Sequence, residues 1–252
     1  MELKAIKDNR LAGNTNTGFL KTVAIFFMII DHTAVVFFPR VLELRLLGRI
    51  AFPLFAWCGV VGSVYTRNHI RYMLRLFVFM AVSQPFYALA LSHNWYEMNI
   101  FATLLTGQLA LFGIRKKWHG SQYWAPVLCI LLGCLFKMDY GWKGVLVIIL
   151  LYMAKETRSG LAAAMIAYCL FWGENTSLMN TICGVSLLPL KTMLPYGSSL
   201  YTTALRLENF AVLSLPFMLL PIGWKSKLPR WISYSAYPAH LGLLYALKLI
   251  LK

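Results

Sequence analysis

The sequence predicts an all-α integral membrane protein, and two properties of its composition carry that prediction. Of its 252 residues, 59% are hydrophobic and only 13% are charged, and the mean hydropathy is +0.63. Soluble globular domains have roughly 45–50% apolar and about 25% charged residues. The apolar residues also recur in blocks along the whole chain, so the bilayer is the solvent for most of it. An ordinary soluble enzyme is therefore excluded.

Ten apolar blocks are candidates for membrane-spanning helices, although several are shorter than the roughly 20 residues that cross the hydrocarbon unaided. We place them at 18–38, 47–65, 70–91, 98–114, 121–136, 141–154, 159–173, 179–195, 208–223 and 231–251. The eighth block is the weakest, because Gly184, Pro189 and Lys191 interrupt it and could make it a short, broken or re-entrant helix. Nine spans are therefore the alternative.

The segments outside these blocks leave no room for a soluble domain. Residues 1–17 form a polar tail that lacks the apolar region and cleavage pattern of a signal peptide, so we expect the first span to stay in the protein. The sequence has no long hydrophilic stretch, low-complexity run or obvious internal repeat. We therefore expect a single domain over 1–252, with its chemistry in a cavity inside the bundle.

The net charge of +15 indicates a membrane partner. No nucleic-acid-binding motif accompanies these charges, whereas short cytoplasmic loops of membrane proteins are rich in Lys and Arg and meet anionic phospholipids. With a cytoplasmic N-terminus, the basic tail and three basic connections face the cytoplasm; the connections lie at Arg67 and Arg71, at 115–117 and at 155–158. The basic group at 225–230 joins them only if the chain has nine spans.

Five cysteines are scattered through the apolar blocks, without a CxxC pair and without a histidine at metal-ligand spacing. We expect them to pack as small hydrophobic side chains, and we expect no metal.

The first span carries titratable side chains at membrane depth, where such groups cost about 2.5–3.5 kcal/mol each and mark a site or an internal pair. The eleven steps from Lys21 to His32 turn roughly 1100°, close to three full turns, and rise about 16 Å. Lys21 and His32 therefore share one helix face, which would suit a long donor with an anionic head and a reactive tail. Headgroup contacts for Lys21 and a hydrogen-bonded core role for His32 are the alternative.

Two arginines four residues apart, Arg45 and Arg49, project from one helix face. Arg49 keeps its charge and therefore needs a carboxylate, a phosphate or water, and Asp31 and Glu43 are the nearest anions in the sequence. Adjacent helix residues diverge by about 100°, so we expect Asp31 to pair with Arg49 rather than with His32. A structural ion pair and a role in the site are both open.

Further polar residues inside or beside the apolar blocks could line a cavity for a substrate. Gln84 lies in the third block, and Asn99 and Thr103 stand four apart in the fourth. Asp139 lies at a span boundary and His240 lies inside the last block. Hydrogen bonds between helices and interfacial anchoring are the alternatives.

Several blocks resemble the TraX family of conjugal-transfer pilin acetylases. The resemblance covers most of the chain and is strongest in LKTVAIFFMIIDHTAVVFFP, LRLLGRIAFPLFAW, TRNHIRYMLRLFVF and NIFATLLTG, with DYGWKGVL further on. Lys21 and His32 are also similar to the R/K-x10-H motif of the broader transmembrane acyltransferases. The second arginine motif of that superfamily, RxxR, is absent as such, because three residues separate Arg45 from Arg49.

The resemblance implies an enzyme of the bacterial inner membrane that moves an acetyl group from acetyl-CoA to the N-terminal amine of the F-type pilin subunit. His32 matches the motif histidine, the presumed catalytic residue, and we assign Asp31 and Arg49 as its catalytic neighbours. Coenzyme phosphates are expected at the basic residues Lys21, Arg45, Arg67, Arg71 and Arg75. The acceptor is expected among the polar residues Gln84, Asn99, Thr103, Asp139 and His240.

Two other functions remain open at this point. An O-acetyltransferase of a cell-surface or lipid-linked sugar would share the motif but not the acceptor. A small transporter or flippase would use the intramembrane charges as a relay, although such proteins often show internal repeats.

Overall fold

The protein is described here from a computed structural model, which covers residues 11–173, 178–179, 181–182, 185–187, 189, 205–221 and 228–251. It is 78% helical. The helices are α1 Thr17–Phe37, α2 Leu42–Gly48, α3 Ala51–Tyr65, α4 His69–Leu91, α5 Ile100–Lys116, α6 Ser121–Leu135, α7 Gly141–Met153, α8 Arg158–Gly173, α9 Leu215–Leu219 and α10 Arg230–Ile250. Two 3-10 helices lie at Trp118–Gly120 and Leu207–Ser214, and two short strands are β1 Thr181–Ile182 and β2 Val185–Ser186.

The predicted fold class, an all-α membrane protein, is confirmed. Three helical segments among the described residues are long and apolar enough to cross a membrane: α1, α2 with α3, and α4. Helices α7 and α8 and the segment Leu207–Leu219 are apolar but shorter. Short helices can complete a membrane bundle where neighbouring helices cover their ends.

The eighth predicted span begins with a different structure. Thr181–Ile182 and Val185–Ser186 pair as an antiparallel hairpin, and the Met179 N–H donates to the Leu205 carbonyl at 2.8 Å. A helix starting at Met179 is therefore wrong, because β-branched residues here favour extended backbone. Residues 190–195 of that prediction, with Lys191, lie outside the described residues.

In the region of the ninth predicted span, 208–223, the structure has a 3-10 helix followed by the single-turn helix α9. A 3-10 helix rises about 2.0 Å per residue against 1.5 Å in an α-helix, so these thirteen residues reach about 24 Å. The segment is therefore nearly as long as a hydrocarbon core is thick, about 30 Å.

Helix α3 occupies the centre of the bundle. The hydrophobic window in Leu42–Tyr65 is 78% buried, whereas the corresponding windows of α1 and α4 are each 28% buried. Phe52 and Trp57 are fully buried, and the Trp57 indole N–H donates to the Asn14 carbonyl at 2.8 Å. The outward faces of α1 and α4 are left for lipid.

Small residues let neighbouring helices approach α3 and α7 closely. A Cβ at Gly144 in α7 would lie 2.6 Å from a methyl of Thr103 and 3.0 Å from the Phe52 ring. Since real Cβ atoms do not approach that closely, the contact of α7 with α5 and α3 depends on the missing side chain.

One end of the bundle is organised by the segment before α1, and we call it the N-terminal end. The Ala12 N–H donates to the Lys155 carbonyl between α7 and α8 at 2.8 Å. The Asn14 N–H donates to the Met218 carbonyl in α9 at 2.6 Å. At this end, helix α1 begins with Asn16 as its N-cap.

The opposite end holds the α4–α5 and α6–α7 connections, which pair with each other. The Met98 N–H donates to the Lys137 carbonyl at 2.7 Å. Near the end of α10, the Lys248 ammonium donates to the Ser92 hydroxyl at 2.9 Å, just beyond α4. Helices α4 and α10 therefore both end here.

Helices α1 and α10 lie side by side and run in the same direction. Lys21 of α1 lies over the Tyr234 ring of α10, 5.8 Å from its centroid. Eleven residues later, His32 lies against His240, which is further along α10. The predicted common face of Lys21 and His32 is therefore the face that meets α10.

Candidate functional site

A pair of buried histidines joins α1 to α10. His32 Nδ1 and His240 Nε2 are 2.6 Å apart, and the two rings are nearly coplanar, with an interplanar angle of 6°. The exposed fractions are 9% for His32 and 8% for His240. Tyr237, one turn before His240, packs edge-on against both rings.

The hydrogen bonds of this pair assign its protons. His240 Nδ1 lies 2.8 Å from the Ala236 carbonyl, which can only accept, so His240 carries its proton on Nδ1. His240 Nε2 then accepts from the Nδ1–H of His32. With its proton on Nδ1, neutral His32 has a lone pair on Nε2. That nitrogen is the one basic atom of the pair that can take a proton from a substrate.

A buried network of ion pairs includes the residue that precedes His32. Arg49, in the turn between α2 and α3, reaches Asp31 at 3.5 Å and Glu208 of the 3-10 helix at 3.2 Å. Arg45 reaches the same Asp31 oxygen at 3.7 Å. The predicted pairing of Asp31 with Arg49 is present, and it joins α1 and α3 to a segment more than 150 residues away. Catalytic roles for Asp31 and Arg49 stay predictions.

Glu208 is the anion of this network that sequence reasoning missed, because Glu43 stands nearer to Arg49 in the chain. Its charge at membrane depth could have identified it in the sequence. Glu208 begins the apolar run ENFAVLSLPFMLL, where an acidic side chain needs a partner.

A narrow cavity opens beside His32. It is lined by Asp31, Asp139 and Tyr140 together with Tyr237 and apolar side chains of α1, α3 and α5. Asp139, in the α6–α7 connection, is exposed, whereas His32 is buried. Of the residues predicted for the acceptor, Asp139 and His240 are thus brought to His32.

A second, largely apolar cavity begins at Lys21 and runs along the same face of α1. It is lined by aromatic rings such as Tyr72, Tyr234 and Tyr237. Both cavities share four lining residues, namely Met28, Phe55, Ile100 and Tyr237. They therefore adjoin along the face of α1 between Lys21 and His32.

The other residues predicted for the coenzyme separate into two groups. Arg67 and Arg71 are exposed at the start of α4, and Arg75 lies over the Tyr72 ring, 5.9 Å from its centroid. Since Tyr72 lines the Lys21 cavity, Arg75 lies beside that cavity. Arg45 lies instead with Asp31 in the ion network. The coenzyme-binding roles stay predictions.

Gln84 and Asn99 hold the α4–α5 connection. Gln84 Oε1 accepts from the Asn99 amide at 2.9 Å, and Gln84 Nε2 donates to the Glu97 carbonyl at 2.6 Å. Asn99 also caps α5 through the Phe101 N–H. The hydrogen bond from His93 lowers the pKa of the Glu97 carboxyl group in the same connection. These contacts give Gln84 and Asn99 a structural role, and substrate binding by them stays a prediction.

Thr103 is completely buried and faces α7 rather than the His32 cavity. Among the residues that the structure describes, no group of three or more His, Cys, Asp or Glu side chains could hold a metal ion.

The fold and the site define an α-helical membrane protein with a histidine pair and a polar cavity inside its bundle. The family model described as "TraX protein" matches residues 16–248. The chain belongs to the TraX family.

Similar proteins from other bacteria include a member of this family. Protein TraX of Escherichia coli is 35% identical over 151 residues, which cover 57% of this chain and 59% of that protein. The probable fimbrial assembly protein FimC, serogroup H1, of Dichelobacter nodosus is 33% identical over 106 residues, or 36% of this chain and 43% of the relative. An uncharacterized protein of Rickettsia prowazekii, RP591, is 25% identical over 177 residues, 68% and 66% of the two chains.

The matches to the named relatives thus span about half of each relative's length. No solved structure matches the chain.

Proposed function

We propose that this protein is a membrane-embedded acetyltransferase that moves the acetyl group of acetyl-CoA to the N-terminal amine of a conjugative F-type pilin subunit. Membership of the TraX family and a relative named as a fimbrial assembly protein support the link to pili. The histidine pair carries the chemical part of the proposal, because it leaves a basic nitrogen, His32 Nε2, beside a cavity that adjoins the one at Lys21.

Acetyl-CoA occupies the Lys21 cavity in this proposal. Lys21 lies at the mouth with Arg75 nearby, so the coenzyme phosphates meet positive charge. The pantetheine arm follows the apolar wall of α1, and its length suits the rise of about 16 Å from Lys21 to His32. The thioester then lies past Met28 and Tyr237, which border both cavities.

The transfer step uses His32 as general base. The neutral amine attacks the thioester carbonyl carbon, and His32 Nε2 takes the proton that the nitrogen loses as the C–N bond forms. The tetrahedral intermediate collapses by breaking the C–S bond, and the imidazolium returns the proton to the departing thiolate. His240 Nε2 accepts from His32 Nδ1–H throughout, which stabilises the charged ring.

We also propose nine membrane crossings with a cytoplasmic N-terminus in the bacterial inner membrane. Helices α1 and α10 run in the same direction, which requires an odd number of crossings. The hairpin at β1 and β2 replaces the start of the eighth predicted span. The basic group at 225–230 then lies on the cytoplasmic side, as the positive-inside rule favours.

The test uses membranes containing the protein, isotopically labelled acetyl-CoA and the cognate pilin subunit, with peptide mass mapping of the label. We expect label on the pilin N-terminal amine with wild type and a loss of at least roughly 100-fold in rate with His32→Ala, as for a lost general base. His119→Ala is the matched control, because His119 is exposed and lies outside both cavities.

Coenzyme binding is measured separately, as the shift in melting temperature with coenzyme A, so that an unfolded variant is recognised. Label on a sugar instead of pilin would identify the acceptor as a sugar and would overturn the pilin part of this proposal. Absence of transfer to any acceptor, with no stabilisation by coenzyme A, would overturn the enzyme and favour a transporter.

A further inference from the structure

The charges around His32 do not balance. The chain has nine acidic residues, and three of them, Asp31, Asp139 and Glu208, converge on this region. Two of the three are paired: Arg49 contacts both Asp31 and Glu208, and Arg45 adds a second contact to Asp31. No ion pair joins Asp139 to any Lys or Arg of the described residues. Among the described residues, Asp139 is thus the carboxylate of this region without a direct ion pair, and Arg49 acts on it only from a longer distance.

Asp139 lies where a positively charged ligand could contact its carboxylate. It lines the same cavity as His32, and its own backbone N–H is fixed by the Met98 carbonyl at 2.9 Å. The Tyr87 hydroxyl is a neighbour of its carboxylate. The carboxylate therefore has room for a positively charged group in direct contact.

Asp139 and His32 differ in their access to solvent. Asp139 is exposed at the end of the bundle opposite the N-terminal end, whereas His32 is 9% exposed and lies deeper. Lys21 opens the adjoining cavity on the other side. A positively charged group arriving at the Asp139 end therefore meets a carboxylate first and a basic nitrogen next.

We infer that Asp139 binds the ammonium form of the acceptor's primary amine and thereby selects amines over hydroxyl acceptors. This inference rests on the proposed acetyl transfer, and it gives the acceptor an entrance separate from that of the coenzyme. The coenzyme enters at Lys21, and the acceptor enters at Asp139. Arg49 does not form an ion pair with Asp139 in place of the acceptor's ammonium group, because Arg49 is already held by two carboxylates.

The proton balance follows from this order. The ammonium group loses one proton to the Asp139 carboxylate, which releases it to water at the exposed mouth. The neutral amine attacks the thioester and loses its second proton to His32 Nε2, which hands it to the coenzyme thiolate. One acyl transfer thus yields the amide, the thiol and one proton in solution.

The experiment measures the acceptor KM, the acetyl-CoA KM and kcat with the full-length protein in membranes. The acceptors are a pilin N-terminal peptide and the same peptide with a hydroxyl in place of its amine. In Asp139→Asn, we expect the KM of the amine acceptor to rise roughly tenfold or more, as for one lost charge contact, with the acetyl-CoA KM unchanged. The preference for amine over hydroxyl should fall by a similar factor.

Two variants serve as controls. Asp139→Glu keeps the charge and should stay within a few-fold of wild type. Glu97→Gln removes a carboxylate at the same end that is held by His93 and lies outside the cavity, so its acceptor KM should not change. Melting temperature with coenzyme A verifies folding of each variant.

The outcomes separate the two proposals. Active wild type with an unchanged acceptor KM in Asp139→Asn overturns the inference and leaves the acetyltransferase intact. Wild type that transfers no acetyl group to the amine peptide overturns the proposed function, and the role of Asp139 with it.

Discussion

At the scale of single residues, the site uses one imidazole to orient another. In acyl-transfer triads a carboxylate holds the histidine base in its tautomer. Here the partner of His32 is His240, itself held by the Ala236 carbonyl. A neutral partner fixes the same tautomer without placing a further charge inside the bundle, where an unpaired charge is costly.

His240→Ala tests this orienting role. With Nδ1 unpartnered, His32 can place its proton on either nitrogen and rotate, so we expect kcat to fall roughly 10–100-fold with little change in the acetyl-CoA KM, as for other orienting partners. Added imidazole should restore part of the rate, since it can occupy the vacated space. Steady-state kinetics checks both, and an unchanged kcat would contradict the assignment.

At the scale of elements, the break between α2 and α3 is what allows the ion network to form. Gly48 ends α2, and a Cβ there would lie 2.5 Å from Asp31 Cγ. The backbone of α2 thus packs directly on the Asp31 side chain, and the turn that follows aims Arg49 at it. A side chain at position 48 has no space unless Asp31 moves.

Gly48→Ala should therefore destabilise the protein by about 1–3 kcal/mol, the range for an overpacked core site, and should weaken the contact of Asp31 with Arg49. The melting temperature in detergent measures the effect. Gly62→Ala in α3 is the matched control, because its Cβ would come no closer than 3.4 Å to any atom, the nearest being the Tyr72 hydroxyl, and should change stability by less than about 1 kcal/mol. Equal stability of both variants would be inconsistent with close packing at Gly48.

The elements also show what the sequence could predict. The long apolar blocks predicted α1, α4, α5 and α10 to within two residues, because hydrophobic run length is a local property. The intramembrane charges marked Asp31, His32 and Arg49 for the same reason. The pairings with His240 and Glu208 are 208 and 159 residues distant in the chain. Only the tertiary packing decides such contacts.

At the scale of the whole molecule, the direction of the helices determines which loops share a side of the membrane. The segment before α1 contacts the α7–α8 turn and the end of α9, so these connections lie at one end of the bundle. The described basic turns at 115–117 and 155–158 belong to that end. The whole bundle therefore has one strongly basic end, as an orientation with the N-terminus in the cytoplasm requires.

Cysteine labelling measures the number of crossings. In a Cys134→Ser background, we expect Ser226→Cys and Lys117→Cys to react with an impermeant thiol reagent from the cytoplasmic side, and Asn94→Cys from the periplasmic side. Ten crossings would instead place position 226 with position 94. Labelling of intact cells against inverted membrane vesicles distinguishes the two.

The side-by-side packing of α1 and α10 has a consequence for biosynthesis. The histidines of the pair are separated by 208 residues, and ribosomes add roughly 5–20 residues per second, so His240 follows His32 by roughly 10–40 s. During that interval the first helix is already in the bilayer without its partner. The nascent chain therefore has no assembled histidine pair until the last helix has inserted.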